Sequence, residues 1–366
     1  MIETTELYNA FKHKRVIVTG HTGFKGSWLV CFLRLLGADV LGISKGLVST
    51  PSHWSLLEPL FGVDDQTIDV TDMDSLSSAF ESFEPDYVFH LAAQSLVPRS
   101  VENPIETFQT NVIGTLNVLE VFRRLKNDCV AVFITSDKCY ENKEWVWGYR
   151  ETDQLGGEDP YSASKACADI TISSFFRTFL QDEGNKKVGV ARAGNVIGGG
   201  DWAASRVLPD CIRAWSRDEA VLLRKPTATR PWQHVIEPVH GYLTLALRLK
   251  SGYAINGEAF NFGPSDLTDK TVAEVVEAAS SHWPGSRFEI VSENQSVELK
   301  EKNLLKLDID KARVLLGWAS RFSFEKAIHL TAAWYVKVLK EGLSAKEITE
   351  SQIKYYLENN NEPWSF

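Results

Sequence analysis

Short apolar runs alternate with longer amphipathic stretches through the first half of the chain. The runs predict strands over Arg15–Thr19, Asp39–Ile43, Gln66–Asp69, Tyr87–Leu91, Val130–Thr135 and Val188–Ala191. Between them the spacing predicts helices over Gly26–Gly37, Met73–Phe83, Ile105–Lys126 and Pro160–Asp182. Most of these strands lack polar alternation, as expected when helices cover both faces of a sheet. Strand and helix in alternation is the pattern of βαβ units around a parallel sheet. After about Asn195 the regularity fails: Gly, Pro and Trp become frequent, and strand-like pieces (Ala220–Leu223, Glu258–Phe262, Arg287–Val291) mix with helices. The segment around Ala259–Gly263 is expected to return to the main sheet.

The first strand runs into Gly20-His-Thr-Gly23-Phe-Lys-Gly26, followed at once by an amphipathic helix. Glycines at these offsets allow a tight turn, close approach of backbone to a pyrophosphate, and close packing of helix on strand. The helix N-terminus adds free N–H groups and the positive end of a dipole. A dinucleotide site on a Rossmann-type, doubly wound α/β fold follows. The expected division gives residues 1–190, with about 232–263, to the dinucleotide-binding domain. Residues 191–231 and 264–366 form a smaller, discontinuous α+β domain for the substrate. The second strand ends in Gly42-Ile-Ser44-Lys45 without the acid that usually grips the adenosine ribose, so the residues alone leave NAD and NADP both open.

Composition narrows the partners. Among 366 residues the net charge is −9, which argues against general binding to nucleic acid or anionic membrane. An anionic ligand must then be met by a local cationic pocket. The five scattered cysteines show no metal-like spacing with His and suit a reducing compartment, and the N-terminus has no apolar signal core. A cytoplasmic enzyme with no metal is expected.

Tyr161-Ser-Ala-Ser-Lys165 opens a predicted helix behind Pro160, which places the phenol and the ammonium on one helical face. A nearby ammonium favours the phenolate and makes the Tyr a usable base. Upstream stands Thr135-Ser136-Asp137-Lys138-Cys139-Tyr140. The glycine spacing and the Tyr–Lys pair resemble the extended short-chain dehydrogenase/reductases. TSDKCYEN (135–142), the stretch from Trp145 to Lys165, RAGNVIGGGDWA (192–203) and RPWQHVIEP (230–238) resemble, over almost the whole chain, the sugar-nucleotide 4,6-dehydratases that act on CDP-D-glucose.

That resemblance implies oxidation at C4 by bound NAD, loss of water across C5–C6, and reduction at C6, with a product class that feeds dideoxysugars of O-antigen. It implies that Ser136 supports Tyr161 and that Asp137 and Lys138 are the acid and base of the elimination, where the usual pair is Asp-Glu. With ordinary pKa values of about 3.9 and about 10.4 the reverse assignment stays open. It further implies cofactor contacts from Gly20, Thr22, Gly23, Phe24, Lys25, Gly26, Ser44, Asp69, Val70, Leu91, Ala92, Ala93, Gln94, Asn111, Thr135, Tyr161 and Lys165. Substrate contacts are expected from Gln94, Ser95, Arg192, Asn195, Arg206, Arg230, Trp232 and His234. Trp145, Trp147 and Tyr149 fit either a platform for sugar or cytosine or a packed surface loop. The helices over Ile105–Lys126 and Pro160–Asp182 are expected to pair in a homodimer or homotetramer. The alternative is a sugar-nucleotide 4-epimerase, or a 4,6-dehydratase of another nucleotide sugar.

Overall fold

Apolar strands with no polar face can be buried only between two layers of helix, and the chain builds that arrangement. The structure, a computed structural model, describes residues 3–57, 62–223, 225–265, 270–290, 304–358 and 364. The first half contains α1 (Thr4–Phe11), β1 (Arg15–Thr19), α2 (Phe24–Leu35), β2 (Asp39–Ser44), α3 (His53–Leu56), β3 (Val63–Thr67), α4 (Met73–Phe83) and β4 (Tyr87–His90). It continues through α5 (Val97–Glu102), α6 (Pro104–Phe108), α7 (Gly114–Arg124), β5 (Cys129–Ile134), α8 (Pro160–Phe175) and β6 (Lys186–Ala193). The second half adds β7 (Val196–Ile197), α9 (Val207–Trp215), β8 (Ala220–Leu223), β9 (Thr229–Arg230), β10 (Gln233–His234), α10 (Ile236–Lys250) and β11 (Ala259–Phe262). Then follow β12 (Lys270–Thr271), α11 (Val272–Ser280), β13 (Arg287–Ile290), α12 (Phe324–Leu339) and α13 (Ala345–Leu357).

Seven strands pair in parallel in the order β11-β6-β5-β4-β1-β2-β3. The order reverses between β1 and β4, and in such sheets the crevice at the carboxyl ends beside the reversal is where ligands bind. β5 is buried at every residue. The return of the chain near Ala259–Gly263 is β11, which lies beside β6. β3 starts three residues before its predicted position, at Val63 instead of Gln66. It is an edge strand bearing Asp64, which is exposed, and Asp65, whose Oδ1 lies 2.9 Å from the buried His21 Nε2; charge on an edge strand blocks edge pairing and also removes the apolar signal. α1 was not expected at all; it buries Leu7 and Phe11, with the Phe11 ring 4.8 Å from that of Tyr87.

The helix predicted over Ile105–Lys126 is α6 and α7 joined by a π turn over Gln109–Ile113, and that over Pro160–Asp182 is α8 followed by a π turn over Phe176–Leu180. One core fills the sheet face beneath α2 and α10 and runs on without a break into α12 and α13. Trp28, Trp334 and Tyr335 lie fully inside it, each stabilising the fold by on the order of 2–3 kcal/mol. A second core lies under α4, α7 and α8. Val291, the last residue of one predicted strand, falls outside the described residues; within them the strand is β13, Arg287–Ile290.

Candidate active site

The loop after β1 is held by two glycines that no other residue could replace. Gly20 has φ +74°, and a Cβ there would lie 2.6 Å from the Ala92 backbone nitrogen. A Cβ on Gly26 would run into the Gly20 carbonyl, so α2 can close on the loop only with Gly at this point. No side chain caps the α2 N-terminus at Gly23. The first-turn N–H groups of Phe24, Lys25 and Gly26 therefore stay available to an anion. This cradle fits a dinucleotide pyrophosphate. Thr22 Oγ1 lies 2.6 Å from Ser44 Oγ at the end of β2. Asp69 accepts from the Thr71 backbone N–H (3.0 Å) and hydroxyl, which fixes the turn that carries Val70.

The strand end at β4 is braced from two sides. Thr19 Oγ1 and His90 Nδ1 are 2.7 Å apart, and Leu91 donates to the Thr19 carbonyl. Asn111 accepts from the Gln94 N–H (2.8 Å) and donates to the Gln94 carbonyl and to Ser164 Oγ. The Gln94 amide is spent on Leu96 and Thr107. Both side chains were expected to touch ligand. In the structure their amides hold the loop Leu91–Ser95 against α6 and α8, with Ala92 and Ala93 half-buried and Ser95 exposed.

The end of β5 and the start of α8 meet at the reacting centre. Asp159 caps α8 by accepting from the Ser162 N–H, and Pro160 takes the first helical position. Tyr161 and Lys165 then face the strand end, with Lys165 Nζ donating to the Ile134 carbonyl at 3.1 Å. Burial pushes the Tyr161 phenol up to about 12, while the adjacent Ser136 hydroxyl pulls it down. Burial lowers the Lys165 ammonium to about 8. Ser136 Oγ donates to Asp137 Oδ1 at 3.0 Å, whereas Asp137 Oδ2 is buried with no hydrogen-bond partner. Burial raises the Asp137 carboxyl, against the pull of Lys138 and the Ser136 hydroxyl. Lys138 is half-buried, and its ammonium makes no ion pair with the described residues. Thr135 is turned away from the centre and donates to Asp169.

Cations surround Asp137. Lys25, lowered by burial to about 8, is drawn up by Asp137 and pushed down by Arg206 and Lys165. Arg230 is buried, and its charge acts on Asp137 as well. Arg206 precedes α9 and is anchored to Asp201 at 2.8 Å. Asn195 is half-buried in the turn before β7, and Trp232 donates to the Lys270 carbonyl. In a chain of net charge −9 this is the local positive pocket that an anionic substrate requires.

Two substrate contacts expected from the sequence are not where they were placed. Arg192 is 3% exposed and bidentate to Asp169, with Nη1 given to Tyr140 and the Glu151 carbonyl, so it is a core ion pair and meets no diphosphate. His234 is fully buried between Trp28 and Phe322, and burial lowers its imidazole to about 3; it is a core residue. Tyr149 and Trp145 form a stack with Tyr140, ring centroids 5.2 and 5.4 Å apart, which matches the packed-loop reading. Sequence reasoning missed Asp169 and Asp201. The first carried a signal, because it follows Lys165 by one helical turn on the same face of α8; the second carried none.

The family model for GDP-mannose 4,6 dehydratase matches residues 17–331. A CDP-glucose 4,6-dehydratase of Salmonella typhimurium is 42% identical over 332 residues, covering 89% of this chain and 92% of that one. Among solved structures, an epimerase of Methanothermobacter thermautotrophicus superposes with TM-score 0.77 at 24% identity, covering 92% and 96% of the two chains, a likeness of fold. A UDP-glucose 4-epimerase of Thermus thermophilus in complex with NAD gives TM-score 0.73 at 26% identity, covering 88% and 98%.

Proposed function

The chain belongs to the GDP-mannose 4,6 dehydratase family, and from that membership we propose that it is a nucleotide-sugar 4,6-dehydratase, a hydro-lyase, with NAD as bound cofactor and CDP-D-glucose as substrate. NAD, when bound, takes up the electrons released at C4 and returns them to C6. Residues 20–26 would hold its pyrophosphate, and Lys165 its nicotinamide ribose. We assign NAD to residues 1–190 with about 232–263, and the sugar nucleotide to 191–231 with 264–366. Arg206 and Arg230 would then meet the diphosphate. The 42% identity to an enzyme named for CDP-glucose supports the choice of nucleotide.

The observation that carries the reading is Asp137, a buried carboxyl with one unpartnered oxygen, between Ser136 and a set of cations. Tyr161 as phenolate takes the O4 proton, and the ketone formed at C4 acidifies H5. Lys138 removes H5 while Asp137, whose protonated form burial favours, protonates the departing 6-hydroxyl. The Lys138 ammonium exchanges its protons with solvent and delivers one of them to C5 as C6 is reduced. Ser136, hydrogen-bonded to Asp137 and beside the Tyr161 phenol, can pass the O4 proton on to Asp137. The proton removed at O4 then leaves in the water, and every group ends as it began. A 4-epimerase has no use for such an acid.

Asp137→Asn tests this division of labour. Turnover should fall on the order of 10²–10⁴-fold, as expected for a lost general acid. Oxidation at C4 should persist, seen as near-ultraviolet absorbance of reduced nicotinamide. Unchanged turnover would overturn the dehydratase reading in favour of the epimerase. We also place the enzyme in the cytoplasm, in keeping with five cysteines that are all free; recovery in a membrane or secreted fraction would contradict this. Among the described residues no helix is long and apolar enough to cross a membrane.

A further inference from the structure

In this fold the residue after β2 decides whether a dinucleotide's ribose is accepted bare or phosphorylated. Here that residue is Lys45, a cation, with no acid beside it in the sequence. An unengaged lysine at this position would welcome the 2′-phosphate of NADP. The structure shows it engaged. Lys45 Nζ lies 3.1 Å from Glu106 Oε1 and 3.9 Å from Asp69 Oδ2. Glu106, on α6, also takes Arg99 of α5 in a two-pronged bond, Nη2 to Oε1 at 2.8 Å and Nε to Oε2 at 3.2 Å. Two cations and two carboxylates from four segments thus close on one another at the ribose end of the cleft. Behind them the β2 turn presents only neutral groups, since the Ser44 and Thr22 hydroxyls lie 2.6 Å apart and both reach the Gly46 carbonyl.

Exposed ion pairs contribute little to stability. Their effect here is on which charges remain for a ligand. A 2′-phosphate would have to displace Glu106 from both Lys45 and Arg99 and would still face Asp69. A bare 2′-hydroxyl meets no such opposition. The Glu106 carboxyl sits below its usual range, with the Lys45 hydrogen bond the largest cause and Arg99 helping against the opposing effect of burial, so it is ionised throughout the neutral range.

We propose that Glu106 is the residue that selects NAD over NADP, acting by occupying Lys45 and Arg99, in place of the acidic residue that β2 lacks. This rests on the dinucleotide reading of the glycine loop and not on the identity of the sugar.

The test is calorimetric titration of NAD and NADP into the full-length protein without sugar nucleotide, for the native chain, Glu106→Gln and Glu106→Gln with Lys45→Ala, each checked for folding by circular dichroism. The native chain should prefer NAD. Glu106→Gln should tighten NADP on the order of tenfold, the scale of freeing charged hydrogen bonds near the surface, and leave NAD within about twofold. That gain should shrink with added salt and fall in the double variant. The proposal is overturned if the native chain binds NADP as tightly as NAD. It is equally overturned if Glu106→Gln leaves the ratio unchanged, or if the gain is undiminished by Lys45→Ala. Binding of neither nucleotide would overturn the cofactor reading together with this one, whereas failure to turn over CDP-D-glucose would leave these titrations intact.

Discussion

In the proposed mechanism Asp137 protonates the departing hydroxyl, and burial, which raises its carboxyl against the pull of Lys138, Ser136, Lys25 and Arg230, acts in that direction. The same burial makes the neighbouring pair Asp169–Arg192 expensive to break, because an unpaired guanidinium would be left inside. Asp169→Asn should therefore destabilise the protein by about 3–5 kcal/mol. Asp169→Leu combined with Arg192→Met should recover most of that loss, both read from urea denaturation midpoints. Equal losses in the single and double variants would contradict the account. Tyr161 and Lys165 were legible because their spacing states a shared helical face. Arg192 was misread because charge in a sequence says nothing about a partner 23 residues away, and Asp169 is what turns it inward. His234 was misread for a like reason: only the fold reveals that Trp28 and Phe322 enclose it.

At the scale of elements, α10 ties the halves of the molecule together through one buried acid. Glu237 accepts from the backbone N–H groups of Arg321 and Phe322 and from the Tyr356 hydroxyl of α13. Burial raises it to about 7, with those hydrogen bonds and Arg321 acting the other way; His240, also facing it across Tyr356, is lowered to about 3 by burial. The folded state thus holds this proton more tightly than the unfolded chain, whose Glu titrates near about 4.3. The contribution favours folding below that pH and is lost as pH rises through about 7. At about 1.4 kcal/mol per pH unit it amounts to on the order of 4 kcal/mol. Urea midpoints from pH 5 to 8 should fall more steeply for the native protein than for Glu237→Gln, and parallel curves would contradict this. Interior strands such as β1, β4 and β5 were legible because each is an almost unbroken apolar run, with Arg15, Thr19 and His90 only at the ends of the first two. β3 was displaced because an edge strand hides its pairing among charges, and α1 was overlooked because only Leu7 and Phe11 mark its buried side.

For the whole molecule, the parallel sheet and its reversal place the glycine loop, the β4 loop and the Tyr161–Lys165 pair around one cleft, an outcome readable from the order of the motifs. The composition of that cleft was readable only as a requirement, that a chain of −9 must gather cations locally. Assembly is a separate matter. α6, α7 and α8 leave Ile105, Phe108, Leu116 and Ile170 exposed, with Ile113 in the turn between α6 and α7 and Phe179 in the turn beyond α8. Exposed apolar side chains gathered on neighbouring helices are the kind of surface that marks a contact site. We propose that a second copy covers it, as in a homodimer or one half of a homotetramer. Sedimentation should show the native chain as at least a dimer and Ile105→Asp shifted toward monomer; a monomeric native chain would remove the proposal.

The central claim concerns chemistry at C5, and one experiment reaches it directly. The purified protein is incubated with CDP-D-glucose in D₂O, with UDP-, GDP- and dTDP-glucose in parallel, and the products are read by NMR and mass spectrometry. The account predicts a 4-dehydro-6-deoxy sugar carrying one deuterium at C5, formed from the CDP sugar in preference to the others. A galactose-configured product that has lost no water would contradict it.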